Sequence, residues 1–398
     1  MAYNVTHLAL HTMVRYAGLA SVPSGRAARE THNTEVRVMK AHRPVAGAAF
    51  RIGLAVALAL TAACSDGTGP TSRDVSEPTL SRSGQQGPDL RAAMAARAKY
   101  EGRVMAHSGV EGIGVGLTDK GQAAVVIMTT HGAVGGLPRE LDGVPVKLMP
   151  TGPFSAILPR QGKPGGGGSV DPTTTFTRPV PIGVSIGNEN ECAAGTLGAR
   201  VTKGGNVYIL SNNHVLARQN AGSIGEDILQ PGRYDTSPQC SIPANSSIGT
   251  LSQFVTINFG GGNNVVDAAL ASTTTGNVGN ATFSGGYGVP SSTTRDAAPN
   301  MLVQKCGRTT SCTHGAVSAI NATVNVQYDG GVATFVSQVV VSGKRGAFSK
   351  AGDSGSLIVT DDAAANPVAL LFAGGQTTTI GNPINAVLSA LGVTIDGK

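Results

Sequence analysis

Apolar and polar positions divide this chain into a leader, a short mixed segment and a long succession of strands. The first strongly apolar stretch, Ile52 to Ala63, follows Met39-Lys40-Ala41-His42-Arg43 and Arg51 and ends at Cys64. From Cys64 to Pro88, Ser, Thr, Gly and Pro dominate, which predicts a disordered spacer with too little apolar surface to order itself. Asp89 to His107 is alanine-rich and free of proline, predicting one helix with Asp89 as its N-cap. Val110 to Leu117, Ala123 to Met128 and Val144 to Leu148 read as strands, the first two joined as a hairpin at Asp119-Lys120-Gly121. Together they predict a small α/β domain over 89–160, either a pro-region that assists folding or blocks a cleft, or an accessory binding module. Residues 161–178, with glycine at each position from Gly165 to Gly168, predict a flexible linker.

Beyond the linker, strand candidates recur with turn residues between them. They are Thr196 to Thr202, Val207 to Leu210, Ile248 to Ile257, Val265 to Ala271, Met301 to Gly307, Gly315 to Val326, Val332 to Val341, Ser356 to Thr360 and Val368 to Phe372. Such spacing predicts a mainly β, antiparallel barrel architecture over 179–398, closed by a helix over Pro383 to Leu391.

Within that pattern three short segments carry candidate chemistry. Gly352-Asp353-Ser354-Gly355-Ser356 precedes the apolar run Leu357-Ile358-Val359 and suits a serine on a tight loop, where glycine allows backbone N–H groups to face a developing oxyanion. The N–H groups of Gly352 and Ser354 are the candidate donors. A serine hydroxyl needs a positioned imidazole to become a nucleophile, and the imidazole needs a carboxylate to hold its tautomer. His214, in Ser211-Asn212-Asn213-His214-Val215, follows a strand-like run, and Asp267 is the single acid in Val265-Val266-Asp267-Ala268-Ala269-Leu270, where burial without a partner would be costly. Taken singly, each has a plainer reading: a turn serine, a satisfied histidine, a capping or ion-paired aspartate.

At these residues, with Gly195-Thr196-Leu197-Gly198, the chain resembles the trypsin-like serine proteases of chymotrypsin fold, in particular their bacterial secreted members. The order His, Asp, Ser along the chain separates this likeness from subtilisin-type and α/β-hydrolase arrangements. The resemblance implies two six-stranded barrels with His214 and Asp267 on the first and Ser354 on the second, and a serine endopeptidase acting on protein or peptide substrates through an acyl-enzyme, without a cofactor. It places the first specificity pocket at Phe348 to Ala351 and Phe372 to Gly375, so that Phe348, Phe372, Ala373, Gly374 and Gly375 are candidate substrate-binding residues of an apolar pocket. Digestive relatives pair a freed N-terminus with the acid beside the nucleophile, here Asp353. Arg178 is followed by Pro179, a poor activation site, which favours constitutive activity. The rival from another class is a non-catalytic, surface-anchored binding protein on a protease-like scaffold. A third possibility is the same chemistry on an ester or cell-wall peptide.

Charge and cysteines refine the picture. Of the formal net +6, residues 1–63 carry seven basic and two acidic groups, 64–178 twelve and ten, and 179–398 eleven and twelve. The basic excess therefore belongs to the leader and spacer, and the barrel segment has no basic stripe for nucleic acid. Ile52 to Ala63 behind its basic flank predicts a secretory signal, with the leader over 1–63 and its signal peptide over 39–63; Leu60-Thr61-Ala62-Ala63-Cys64 resembles a bacterial lipoprotein box. Cys64 is thus the candidate lipidation site and the one expected link to a membrane, on an exported envelope or secreted protein. The four remaining cysteines suit two disulfides in an oxidising compartment; three pairings are possible, and sequence order favours Cys192 with Cys240 and Cys306 with Cys312. A metal site at Cys306, Cys312 and His314 lacks a fourth ligand, and none is expected.

Overall fold

The computed structural model describes residues 89–132, 134–156 and 170–398. The leader, Cys64, the 64–88 spacer and residues 157–169 lie outside the described residues.

The alanine-rich segment forms α1 (Arg91–Met105), with Leu90 as N-cap. Asp89, one residue earlier, still serves the helix start, since its carboxylate accepts the Arg91 N–H at 3.0 Å. Ala93, Ala96 and Val104 are buried against Val110, Ile113, Val125 and Ile127. Those residues belong to β1 (Val110–Leu117) and β2 (Ala123–Thr129), paired antiparallel as the hairpin reading requires, and β3 (Val144–Pro150) runs parallel to β2. A further short strand, β4 (Phe154–Ser155), follows.

In the next part, β5 (Ala199–Lys203), β6 (Asn206–Ser211), β7 (Ser247–Phe254) and β8 (Ala269–Thr273) lie side by side in the order β5-β6-β8-β7, each pair antiparallel. They form the centre of an eight-stranded sheet whose other members have only two to four residues. β6 leads into a single turn, α2 (Asn213–Leu216). Ile186, Ile209, Val215, Leu216, Ile228, Ile248 and Leu251 fill this half. Residues 170–178 pack onto it: Thr173 is buried, and the Phe176 N–H donates to Gln230 Oε1 at 3.0 Å.

The last part holds β9 (Leu302–Gly307), β10 (Ser311–Tyr328), β11 (Gly331–Gly343), β12 (Leu357–Thr360), β13 (Pro367–Gly374) and β14 (Thr378–Pro383). Their order is β11-β14-β13-β12-β9-β10, and β10 pairs back onto β11, so these six antiparallel strands close on themselves. The closing helix is α3 (Ile384–Leu391), ended by Gly392 in a left-handed conformation. Its Ile384, Val387 and Leu391 share one buried cluster with Val201, Leu210 and Leu270 of the first half and Leu357, Val359 and Leu370 of the second. A mainly β molecule of two antiparallel units with a C-terminal helix agrees with the chymotrypsin-like expectation, although the first unit is an eight-stranded sheet rather than the six-stranded barrel that the resemblance implied.

β1 adds to the second unit by pairing antiparallel with β10, Gly112 opposite Val324 and Gly116 opposite Ala319. The alternating glycines of β1 explain the close fit: a Cβ at Gly116 would lie 2.5 Å from Ser318 O, and one at Gly112 2.8 Å from Thr323 O. Two disulfides form, Cys192 with Cys240 and Cys306 with Cys312, the second linking β9 to β10. Both thiols of the alternative metal reading are consumed in that bond, and His314 Nδ1 instead faces Asp361 Oδ1 at 3.0 Å.

Candidate active site

The serine segment joins β11 to β12. Gly352 and Gly355 have φ of +96° and +95°, in the region that side chains resist, and a Cβ on Gly355 would collide with Ser211 Oγ and Thr196 O. Backbone bonds fix the turn: Asp353 N donates to Lys350 O, Gly355 N to Leu371 O and Ser356 N to Asp353 O, at 2.8–3.0 Å. The first half grips the same loop, because Thr196 donates through its N–H to Ser354 O at 2.8 Å and through its hydroxyl to Gly352 O at 2.9 Å.

Asp353 points away from the serine into a polar enclosure. Its carboxylate accepts the Thr309 N–H at 2.8 Å, the Thr310 N–H at 3.1 Å, the Thr310 hydroxyl at 2.7 Å and the Lys350 N–H at 2.9 Å. Lys305 Nζ lies 3.4 Å from Asp353 Oδ2, and both side chains are fully buried. Burial pushes the Lys305 ammonium below its ordinary range, opposed by the attraction of Asp353. The same ammonium donates to the Thr310 hydroxyl and, at 3.0 Å, to Ser311 O.

His214 stands on α2, directly after β6. Its Nδ1 lies 2.5 Å from Asp267 Oδ2, its backbone N–H reaches Asp267 Oδ1 at 3.2 Å, and both side chains are fully buried. Asp267 is not inside a strand, as the run Val265 to Ala271 suggested, but in the segment just before β8. There its backbone is held from two sides: Asn382 Oδ1 accepts the Asp267 N–H at 2.9 Å, and Asn212 Nδ2 donates to the Asp267 carbonyl at 2.7 Å. Tyr328, at the end of β10, donates its hydroxyl to Asp267 Oδ2 at 2.9 Å.

Ser354 is 5 % exposed and its hydroxyl donates to Phe372 O at 3.4 Å. His214 Nε2 is buried and has no hydrogen-bond partner among the described residues. The two elements are nevertheless adjacent, since a Cβ at Gly195 would touch both Val215, next to His214, and Ser354 O. Asp267 and His214 are thus in contact, while the Ser354–His214 bond is not made in this conformation.

A cavity of about 120 Å³ beside Ser354 is lined by Ser349, Lys350 and Ala351 on the loop before the serine and by Ala373, Gly374 and Gly375. Three of the five residues expected from the sequence line it. Phe348 and Phe372 do not: their rings sit in apolar clusters, Phe348 with Val317 and Val341, Phe372 with Phe335. The walls are mostly small and of mixed character instead, with Leu371 their one large apolar member, and Ser349 Oγ meets Thr379 Oγ1 at 2.6 Å.

Ser155 also lines this cavity. It pairs antiparallel with Gly374 of β13, and Phe154 and Ser155 run parallel to Val326 and Gln327 of β10. The Ala156 N–H donates to Gln327 O at 3.0 Å, and Gln376 N donates to Thr151 O at 2.7 Å. Strand addition of this kind is how extended peptides bind at sheet edges.

Sequence reading missed Tyr328, Lys305, Asn212 and Asn382. The doublet Asn212-Asn213 before His214 was a usable signal, since two amides after an apolar strand need partners. Lys305 reads as an ordinary strand residue and Tyr328 falls between two strand candidates, and only the closed ring of strands reveals their direction.

No protein-family model matches this chain, and no curated protein matches it. Among solved structures, it is similar to a glutamic acid specific serine protease described as using a histidine triad in substrate binding, at 24% identity over 54% of this chain and 100% of that one, TM-score 0.37. It is also similar to Thermobifida fusca Protease A, at 20% identity over 55% and 99%, TM-score 0.39. A further likeness is to an alpha-lytic protease homolog, N4, at 21% identity over 54% and 98%, TM-score 0.37.

Proposed function

We propose that this protein is a serine endopeptidase. The observation that carries the reading is the buried His214–Asp267 contact, with Nδ1 bound and Nε2 unpartnered, next to a serine on a glycine-shaped loop. An imidazole held at Nδ1 by a carboxylate is in the tautomer whose Nε2 accepts a proton. In this reading Ser354 rotates from Phe372 O to His214 Nε2 and attacks a peptide carbonyl. The N–H groups of Gly352 and Ser354 hold the oxyanion, and water then releases the acyl group. Substrates are proteins or peptides, and no cofactor enters the reaction. The small cavity of mixed lining favours short side chains at the cleaved bond, in place of the apolar pocket that Phe348 suggested.

The 89–156 part, on the same reading, is a pro-region whose strand β4 occupies the place of a bound peptide. Two disulfides fit export to an oxidising compartment, and Cys64 is the proposed lipid attachment site. A binding protein on a protease scaffold remains the second reading, favoured by one observation: Ser354 Oγ bonds to Phe372 O rather than to His214.

A fluorophosphonate probe separates the two. The full chain is expected to be labelled at Ser354, with labelling lost in Ser354→Ala and reduced by about three orders of magnitude or more in His214→Ala, the scale at which catalytic pairs act together. Wild-type protein that stays unlabelled, or labelling that survives in Ser354→Ala, rejects the enzymatic reading.

A further inference from the structure

The Asp267 carboxylate carries more than the histidine. Its Oδ2 accepts two donors, His214 Nδ1 at 2.5 Å and the Tyr328 hydroxyl at 2.9 Å, while Oδ1 accepts the His214 N–H at 3.2 Å. Rotation of the carboxylate about its Cβ–Cγ bond would break all three. Tyr328 is itself rigid: its ring packs edge-on to Phe259 at 5.6 Å and stacks with Phe335 at 6.1 Å, and it stands edge-on to His214 at 5.9 Å. The hairpin of β10 and β11 fixes its height, with Tyr328 opposite Gly331 and Gln327 opposite Val332. Burial and the neighbouring Asp267 charge hold the phenol well above its ordinary titration range, so at neutral pH it is a donor.

We propose that Tyr328 is a positioning residue of this site, its hydroxyl orienting the Asp267 carboxylate toward His214 and setting how strongly that carboxylate attracts the imidazolium. The inference rests on the hydrolytic reading above but makes a claim of its own. A donor on Oδ2 withdraws charge from the carboxylate. Its removal leaves a more basic partner for His214, which favours the imidazolium and raises the pH at which His214 loses its proton. Among the described residues, the titratable side chains in contact with His214 are Asp267, from the segment before β8, and Tyr328, from β10; Asp329, next along the chain, is bonded to Gln219 Nε2 at 3.0 Å.

The test is a proton NMR titration of the full chain, following the low-field His214 Nδ1 proton, assigned by its loss in Asp267→Asn. Tyr328→Phe, which keeps the ring, is expected to move the His214 midpoint upward by about half a pH unit or more. It should also slow fluorophosphonate labelling on the pH plateau by roughly tenfold, the scale of one hydrogen bond to a charged group. A fluorinated tyrosine at position 328, a stronger donor in the same fold, should move the midpoint downward. Midpoints that stay fixed, or move in the same direction in both variants, overturn the proposal, because a merely structural ring would alter thermal stability and not the titration. The outcomes separate from those of the parent reading: an unlabelled wild type rejects the protease, whereas a labelled wild type with unmoved titration rejects only the role of Tyr328.

Discussion

Lys305→Met is expected to abolish fluorophosphonate labelling and to lower stability by about 3 kcal/mol, the lower end of the range for removing one partner of a buried ion pair. The lower end applies because Asp353 keeps four other donors, from Thr309, Thr310 and Lys350. For a domain of this size that loss corresponds to a fall in melting temperature of roughly 10 °C. The stronger effect falls on the site, because Asp353 adjoins Ser354 and its carboxylate is what pulls the loop inward between two positive-φ glycines. A carboxylate released from its cation is drawn toward water, and the loop turns with it. Digestive members of the family that this chain resembles supply the cation from a freed N-terminus. Here Lys305, fully buried on β9, faces that acid at 3.4 Å. A calorimetric melt with labelling on the same sample checks both halves. Wild-type labelling in Lys305→Met would show that the ion pair does not shape the serine loop.

The elements were legible where one face or one composition decides them. The alanine-rich helix, the hairpin at Asp119-Lys120-Gly121 and the closing helix each follow from local sequence, and their observed limits differ from the expected ones by a few residues. Both disulfides also form as sequence order favoured. The strand over Val265 to Ala271 was overextended for a physical reason. An apolar run marks burial, and Val266 to Ala268 are buried before the strand begins, since Asp267 is held by side chains of Asn212 and Asn382 rather than by a ladder. Phe348 and Phe372 misled for a related reason: nearness to the serine in sequence does not fix direction, and Phe348, on the loop after β11, and Phe372, on β13, both turn their rings into apolar clusters. Least legible was anything joining distant strands, above all the seating of β4 between β10 and β13. No local pattern encodes that contact, which depends on the glycines of β1 docking the N-terminal part at the right height along β10.

That seating leads to the second large effect. Phe154→Asp in the full chain is expected to raise hydrolysis of a peptide library by about a hundredfold or more. Phe154 is 1 % exposed and shares a cluster with Tyr328, Phe335 and Phe372, and it is the one large apolar side chain of a strand otherwise seated by short backbone pairings with Val326, Gln327 and Gly374 and by the flanking Ala156 and Thr151 bonds. Exchanging that ring for a carboxylate removes about 2–3 kcal/mol of apolar burial and would place an unpaired charge in an apolar cluster, so the seated strand loses at least two orders of magnitude in its equilibrium. β1 remains paired with β10, so the N-terminal part stays docked while the cleft opens. The small fluorophosphonate serves as reference: its labelling should rise far less than peptide turnover, because it needs only Ser354 and not the strand positions beside Gly374. Equal peptide turnover in variant and wild type, with both fully labelled, would mean that β4 does not obstruct substrate and that the 89–156 part has some other office than guarding the cleft.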